Sequence, residues 1–131
     1  MVHYLKVESK RKSQMIDITE RVQQLVESAG VREGICDVFV PHTTAAVTIN
    51  EGADPAVQHD MVACLDRLVP DAPYFTHAEG NSAAHVKTTL VGSSERIFIE
   101  GGRLILGTWQ AIFFCEFDGP RSRKVAVSIS G

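Results

Sequence analysis

The sequence has little cysteine, no long hydrophobic run and no strong excess of one charge. Its three cysteines, Cys36, Cys64 and Cys115, form no C-x-x-C pair, and each lies in an apolar segment. This pattern predicts buried thiols in a reducing compartment, so we expect a cytoplasmic protein. The longest apolar stretches, such as residues 111–115, fall far short of the roughly 20 residues that cross a bilayer. The first six residues lack the order of a signal peptide, and we expect no membrane partner.

The charge and the composition are those of an ordinary globular domain. Thirteen basic and 16 acidic residues give a formal net charge of -3, which provides no global attraction to nucleic acid. Hydrophobic residues make up 44% and charged residues 22% of the chain, which excludes a disordered or fibrous class. Because 131 residues suit one core, we predict a single domain over residues 1–131.

The first two thirds of the chain alternate between strand and helix patterns. Residues 4–8 alternate in polarity, as a half-buried strand does. Asp17 and Glu20 have the spacing of a capping box, and Gly30 is a natural stop for the helix that follows. Asp54 before Pro55 is a typical helix start, and Pro70 ends that helix. We also predict strands at 35–40 and 45–50 and a short helix that begins at Asn81.

The last third consists of strand patterns that are separated by short turns. Strands are predicted at 96–100, 103–106, 108–117 and 122–130, with turns too short for parallel crossovers. The sequence therefore predicts an α+β fold with a mainly antiparallel sheet. The strand at 108–117 is apolar on both faces, so both sides should be covered, and we infer a subunit interface there. Trp109 is expected in the core, whereas Gln110 is a candidate for a polar site.

Three of the five histidines lie at element ends or in loops, where ligand and catalytic residues concentrate. His42, His77 and His85 would supply three imidazoles, which together with a water form an open metal site. Their spacing matches no zinc-binding signature. The alternative is therefore three unrelated loop histidines, each with local hydrogen bonds.

Charged residues at two other places are candidates for a site. Glu51 ends a predicted strand and would bind a metal, orient a histidine or act as a general base. Arg121 and Arg123 are two residues apart, so they share one face of a strand and would form a fork for phosphate or carboxylate. The alternative for these arginines is an edge strand that charge keeps soluble.

Four motifs together resemble those of the YjbQ family, from about Asp17 to the C-terminus. They are Pro41-His42-Thr43-Thr44-Ala45-Ala46 with Ile49-Asn50-Glu51 and Asp54-Pro55; His77 with Asn81 and Ala84-His85; Gly107-Thr108-Trp109-Gln110; and Asp118-Gly119-Pro120-Arg121 with Arg123. The resemblance implies a sandwich-like sheet arrangement with two to three helices and a homotrimer with sites near subunit boundaries.

The resemblance also implies that the three histidines meet around a divalent metal. It places Glu51, Asn81, Gln110, Asp118 and Arg121 nearby. On this basis the expected catalytic residues are Glu51, Gln110 and Asp118. The expected phosphate-binding residues are Thr43, Thr44, Asn81, Arg121 and Arg123, and the expected metal ligands are His42, His77 and His85. Three histidines suit zinc or a similar metal, and magnesium would arrive with a diphosphate substrate.

Members of the family are named for a secondary thiamine-phosphate synthase activity. The implied reaction joins a pyrimidine methyl diphosphate to a thiazole phosphate and releases pyrophosphate. Two alternatives stay open: a metal-dependent hydrolase with Glu51 as base, and a non-catalytic trimeric module that binds a phosphorylated metabolite.

Overall fold

Two antiparallel sheets and three helices make up the chain, and the computed structural model describes residues 1–131. The elements are β1 Val2–Glu8, β2 Gln14–Asp17, α1 Thr19–Ala29, β3 Gly34–Phe39, β4 Ala45–Glu51, α2 Pro55–Leu68, α3 Ser82–Val91, β5 Ser94–Glu100, β6 Arg103–Leu104, β7 Gln110–Glu116 and β8 Ser122–Ser130. The predicted α+β class with antiparallel sheet is confirmed. None of the helices is long and apolar enough to span a membrane.

The larger sheet has the strand order β1-β8-β3-β5-β6, and the smaller sheet has the order β2-β7-β4. Both contribute to one core of 15 buried residues, with Val38 and Val127 from the larger sheet and Val47 and Phe114 from the smaller. The two sheets therefore pack against each other through their apolar faces, and α1 adds Val22 and Val26 to the same core.

Strand β7 is buried on both faces, as predicted, but not by a partner subunit. Ile112 and Phe114 belong to the core between the sheets. Phe113 and Cys115 belong to a second cluster, which includes Ala84 of α3 and packs against Leu65 of α2. Because helices of the same chain cover the second face, the burial of β7 does not require a subunit interface.

Most predicted element ends are confirmed, with differences that have local causes. Asp54 caps α2 by accepting a hydrogen bond from Ala56 N–H at 2.9 Å, and Gly30 ends α1 at φ +68°. Asp17 lies one residue before the cap of α1 and accepts from Thr19 N–H at 2.9 Å.

Two predictions about buried side chains were wrong. Trp109 precedes β7 and is 65% exposed, because the strand begins one residue later than Trp109. Cys64 lies on an exposed face of α2, whereas Cys36 and Cys115 are buried. Burial raises the pKa of the Cys115 thiol to about 12 and that of Cys36 to about 11, so both thiols are protonated.

Candidate functional site

A polar cavity of about 640 Å³ collects most of the site residues that the sequence singled out. Only two of its 14 lining residues are hydrophobic. The predicted residues that line it are His42, Thr43, Thr44, His77, Asn81, His85, Asp118, Arg121 and Arg123. Phe39, Val40, Pro41, Glu79 and Ser93 complete the lining.

Three chain segments build this cavity. The loop between β3 and β4 supplies residues 41–44, and the turn between β7 and β8 supplies Asp118 and Arg121. The loop before α3 supplies His77, where Gly80 N–H donates to the His77 carbonyl at 3.1 Å. Asn81 is the cap residue of α3, and His85 lies four residues later on the same side of the helix.

His77 and His85 lie side by side in the lining of this cavity. Their ring centroids lie 5.4 Å apart, and the ring planes are 80° apart. Two imidazoles that bind one tetrahedral zinc ion through nitrogens about 2 Å away would have centroids about 5 Å apart. The observed spacing is close to this value, and it is also the ordinary spacing of two rings in edge-to-face contact. No group of three or more His, Cys, Asp and Glu side chains is arranged to hold a metal.

His42 lines the same cavity, but its Nε2 atom already has a partner. Lys124 N–H donates to His42 Nε2 at 3.1 Å. Since Nε2 accepts, the neutral ring carries its proton on Nδ1 and is a hydrogen-bond donor there. Burial lowers the pKa of His42, and the nearby positive charge of Arg123 lowers it further, so the ring is neutral at pH 7.

Asp118 is held by two partners and in turn orients Arg121. Asn81 Nδ2 and Arg121 Nη2 each donate to Asp118 Oδ2 at 2.9 Å, and Arg121 Nε donates to the Asp118 carbonyl at 2.7 Å. Burial raises the pKa of the Asp118 carboxyl, but these hydrogen bonds outweigh it and leave the pKa below its usual value. Asp118 is therefore an ionised anchor and a poor proton donor.

Arg123 lies under the cavity in a buried ion pair with Glu116, whose side chain is 0% exposed. Arg123 Nε donates to Glu116 Oε1 at 2.9 Å, and Arg123 Nη2 donates to Thr44 Oγ1 at 2.9 Å and to Glu116 Oε2. Ser9 Oγ donates to the same carboxylate at 2.7 Å. This network fixes the guanidinium while its Nη1 group has no protein partner.

Glu51 and Gln110 are not brought to this cavity. They are paired across β4 and β7, at the end of the smaller sheet that lies farthest from Thr44. Glu51 is six residue steps along the strand from Ala45, a distance of about 20 Å at 3.3 Å per residue. Gln110 instead accepts from Gly107 N–H at 2.8 Å.

The sequence reasoning missed Ser9 and Glu116, which support the site from below. The sequence does mark Glu116 as unusual, because it is the one charged residue in the apolar strand β7. Nothing in the sequence links Ser9 to the site, since it lies 107 residues from Glu116 and only the pairing of β1 with β8 brings the two residues together.

Comparison with known proteins agrees with the sequence resemblance. The model of the family described as UPF0047 protein YjbQ-like matches residues 3–131. UPF0047 protein MJ1081 of Methanocaldococcus jannaschii is 47% identical over 131 residues, which cover 100% of this chain and 95% of that protein. UPF0047 protein YugU of Bacillus subtilis is 45% identical over 132 residues and 100% of both chains.

Two solved structures have the same fold. An uncharacterised YjbQ/UPF0047 protein from Clostridium acetobutylicum superposes with a TM-score of 0.95 at 50% identity, over 98% of this chain and 99% of that one. Hypothetical protein APE1520 from Aeropyrum pernix K1 also gives a TM-score of 0.95, at 38% identity over 100% and 98% of the two chains. The chain therefore belongs to the YjbQ-like UPF0047 family.

Proposed function

We propose that the polar cavity binds a small-molecule diphosphate and, with a divalent metal, catalyses the transfer of its organic group to a second substrate, with pyrophosphate as the leaving group. The reaction that the family resemblance implies is the synthesis of thiamine phosphate from a pyrimidine methyl diphosphate and a thiazole phosphate. The observation that carries the proposal is a cavity in which two arginines and a pair of histidines face one polar space.

The charges around the cavity support a metal-assisted reaction over simple anion binding. Each arginine is opposed by a carboxylate, Arg121 by Asp118 and Arg123 by Glu116. Asp118 and Glu79 are the two acids in the lining. These residues alone do not provide the excess of positive charge that a diphosphate needs, whereas a divalent cation beside them would provide it.

His77 and His85 are the residues that would hold this cation. When bound, a divalent ion polarises phosphoryl oxygens and neutralises the charge that develops on departing pyrophosphate. The sequence predicts three histidine ligands. We retain His77 and His85 in this proposal and leave out His42, because its Nε2 atom accepts a hydrogen bond from Lys124 N–H. Magnesium brought with the diphosphate remains part of the proposal.

The chain's own donors have distinct tasks in this proposal. Arg121 is oriented by Asp118 and is half exposed, so it is free to follow a phosphate oxygen. Arg123 is fixed by Glu116 and offers its free Nη1 group from the cavity floor. His42 donates a hydrogen bond from Nδ1 as a neutral group. All three donors are in place before the reaction, which is what electrostatic catalysis requires.

The hydrolase alternative loses its proposed base in this geometry. Glu51 lies at the far end of β4, and within one chain it does not reach a water in the cavity. The binding-module alternative uses the same cavity and differs only in the absence of turnover.

The test uses protein purified without a histidine tag and supplied with both thiamine precursors and a divalent metal. Thiamine phosphate formation is expected to fall about a hundredfold in Arg121→Ala, since a donor to developing charge is removed. Arg67→Ala removes an exposed arginine of α2 outside the cavity and is the matched control. Equal rates in all three proteins would refute the transferase, and ligand binding without turnover would support the binding module.

We also propose a cytoplasmic, single-domain protein that assembles as a homotrimer. The three unpaired cysteines support the reducing compartment. The exposed aromatic side chains Tyr4, Phe39 and Phe98 of the larger sheet support assembly through that sheet. Because Phe39 also lines the cavity, such assembly would put the site near a subunit boundary, as the resemblance implies.

A further inference from the structure

A second cavity, of about 490 Å³, lies on the other side of Asn81, which lines both cavities. Its walls come from the end of α2, the start of α3 and the loop between β1 and β2. The charged side chains among its lining residues are Arg11, Lys12, Asp66, Asp71 and Lys87.

Lys87 is a buried ammonium with unused hydrogen-bonding capacity. Its side chain is 8% exposed, and its Nζ atom lies 5.8 Å from the centroid of the Phe117 ring. Asp66 is its hydrogen-bond partner. An ammonium has three N–H donors, so two donors of this buried group have no protein acceptor. A buried charge in this condition favours a further acceptor in the cavity.

Asn81 also has an unused atom at the wall between the two cavities. Its Nδ2 group donates to Asp118, but its Oδ1 atom is buried and has no hydrogen-bond partner. Buried polar atoms are normally paired. A ligand with an anionic group in the second cavity would supply a further acceptor for Lys87.

The basic loop of the second cavity is attached to the turn that forms the first. Gly119 N–H donates to the Lys12 carbonyl at 3.0 Å. The backbone of this loop passes so close that a Cβ on Gly119 would lie 2.2 Å from the Arg11 carbonyl oxygen. Arg11 and Lys12 are therefore held at a fixed position relative to Asp118 and Arg121.

We infer that the second cavity is an anion subsite for the second phosphorylated substrate of the transfer, with Lys87, Arg11 and Lys12 as its cationic residues. The inference rests on the proposed function, because a reaction between two phosphorylated molecules needs two adjacent anion sites. Three cations against Asp66 and Asp71 leave this cavity with a positive charge that requires no metal.

The test measures the binding of inorganic phosphate to the intact protein by calorimetry in metal-free buffer. The double variant Arg11→Ala/Lys12→Ala is expected to bind inorganic phosphate about tenfold more weakly than the wild type, since two charged donors are lost. Lys10→Ala is the matched control, because Lys10 is an exposed cation of the same loop that does not line the cavity.

Lys87→Met provides a second arm, with thermal unfolding to show that the variant folds. If Lys87→Met folds, we expect it to bind the anion as weakly as the double variant does. If it does not fold, the inference is tested by the double variant alone. Equal affinity in the wild type and the double variant, or an equal loss in Lys10→Ala, would overturn the inference. This experiment measures binding and not turnover. If the protein binds the anion here but has no synthase activity, the proposed reaction is refuted and the subsite is not.

Discussion

At the residue scale, the pair of Arg123 and Glu116 is the feature on which the site depends most. Both side chains are at most 7% exposed, and Glu116 also accepts hydrogen bonds from Ser9 Oγ and from Asp118 N–H at 3.0 Å. Each oxygen of this carboxylate therefore connects the cavity floor to a neighbouring strand or turn. A buried charge satisfied in this way is costly to leave unpaired.

Replacing Glu116 by Gln is expected to lower the free energy of unfolding by about 3 kcal/mol, because Arg123 would remain buried without its counter-charge. Urea unfolding at pH 7 measures this change. Glu27→Gln is the control, since Glu27 pairs with Arg103 at 3.8 Å on the surface and both side chains are more than half exposed. That change should cost less than about 1 kcal/mol. Similar losses in the two variants would contradict the importance of the buried pair.

The carboxylates of Glu116 and Asp118 determine how the stability of the protein changes at acid pH. Burial raises the pKa of Glu116, but hydrogen bonds from Arg123, Ser9 and Asp118 N–H outweigh it, and the pKa lies below the ordinary 4.5. The pKa of Asp118 likewise lies below 3.8. A carboxyl with a depressed folded pKa stabilises the protein above its unfolded pKa, and this stability is lost as the pH falls through the folded pKa.

We therefore expect the free energy of unfolding to decline as the pH falls below 4.5, with a shallower decline in Glu116→Gln. Urea unfolding at a series of acidic pH values gives both slopes. Parallel curves for the wild type and the variant would show that Glu116 does not contribute.

The histidines are expected to differ in metal binding. His77→Ala and His85→Ala should each lose bound zinc, since each removes one of the two adjacent rings. His42→Ala should retain it, because His42 Nε2 is already an acceptor for Lys124 N–H. Elemental analysis of tag-free protein after dialysis gives the stoichiometry. Loss of metal in His42→Ala with a folded protein would show that the ring turns to become a ligand.

At the element scale, the sequence predicts much of the fold because local patterns determine most helices and strands. Strand β8 is found at the residues predicted, and α2 begins after Asp54 and ends before Pro70. Strand β2 was not predicted, because its four residues form a strand only by pairing with β7. The sequence predicts the part of the site that is formed by histidines and arginines in loops and at the ends of elements, where ligand and catalytic residues concentrate. Glu51 and Gln110 were misplaced because sequence order does not show which end of a sheet a residue occupies.

Asp54→Ala is expected to lower the free energy of unfolding by about 1 kcal/mol through loss of the cap of α2. The carboxylate satisfies Ala56 N–H, and α2 has no fully buried residue whose packing would compensate. Asp71→Ala is the control, because Asp71 follows the end of α2 and caps no helix. Thermal or urea unfolding of the two variants gives the comparison, and equal stability would mean that the cap contributes little.

At the scale of the whole molecule, the larger sheet leaves one face uncovered. Tyr4 of β1 and Phe39 of β3 are both paired with Ala126 of β8, so the three side chains form a row on the same face. Phe98 of β5 extends this face through its pairing with Ile35. Tyr4 and Phe98 are each 62% exposed, and no helix of the chain covers them. We call this surface the outer face, and it is the one through which we propose that subunits associate.

The outer face predicts a specific effect of charge on assembly. Light scattering after size exclusion should give three times the 14.3 kDa chain mass for the wild type and a lower mass for Tyr4→Glu, because a buried carboxylate opposes association. Tyr74→Glu is the matched control, since Tyr74 is 79% exposed in the loop before α3 and is not part of the larger sheet. A wild-type mass of one chain would refute the trimer. A trimer that survives Tyr4→Glu but dissociates in Tyr74→Glu would move the contact to the loop beside His77, and the cavity would then be closed by a different surface of the neighbouring subunit.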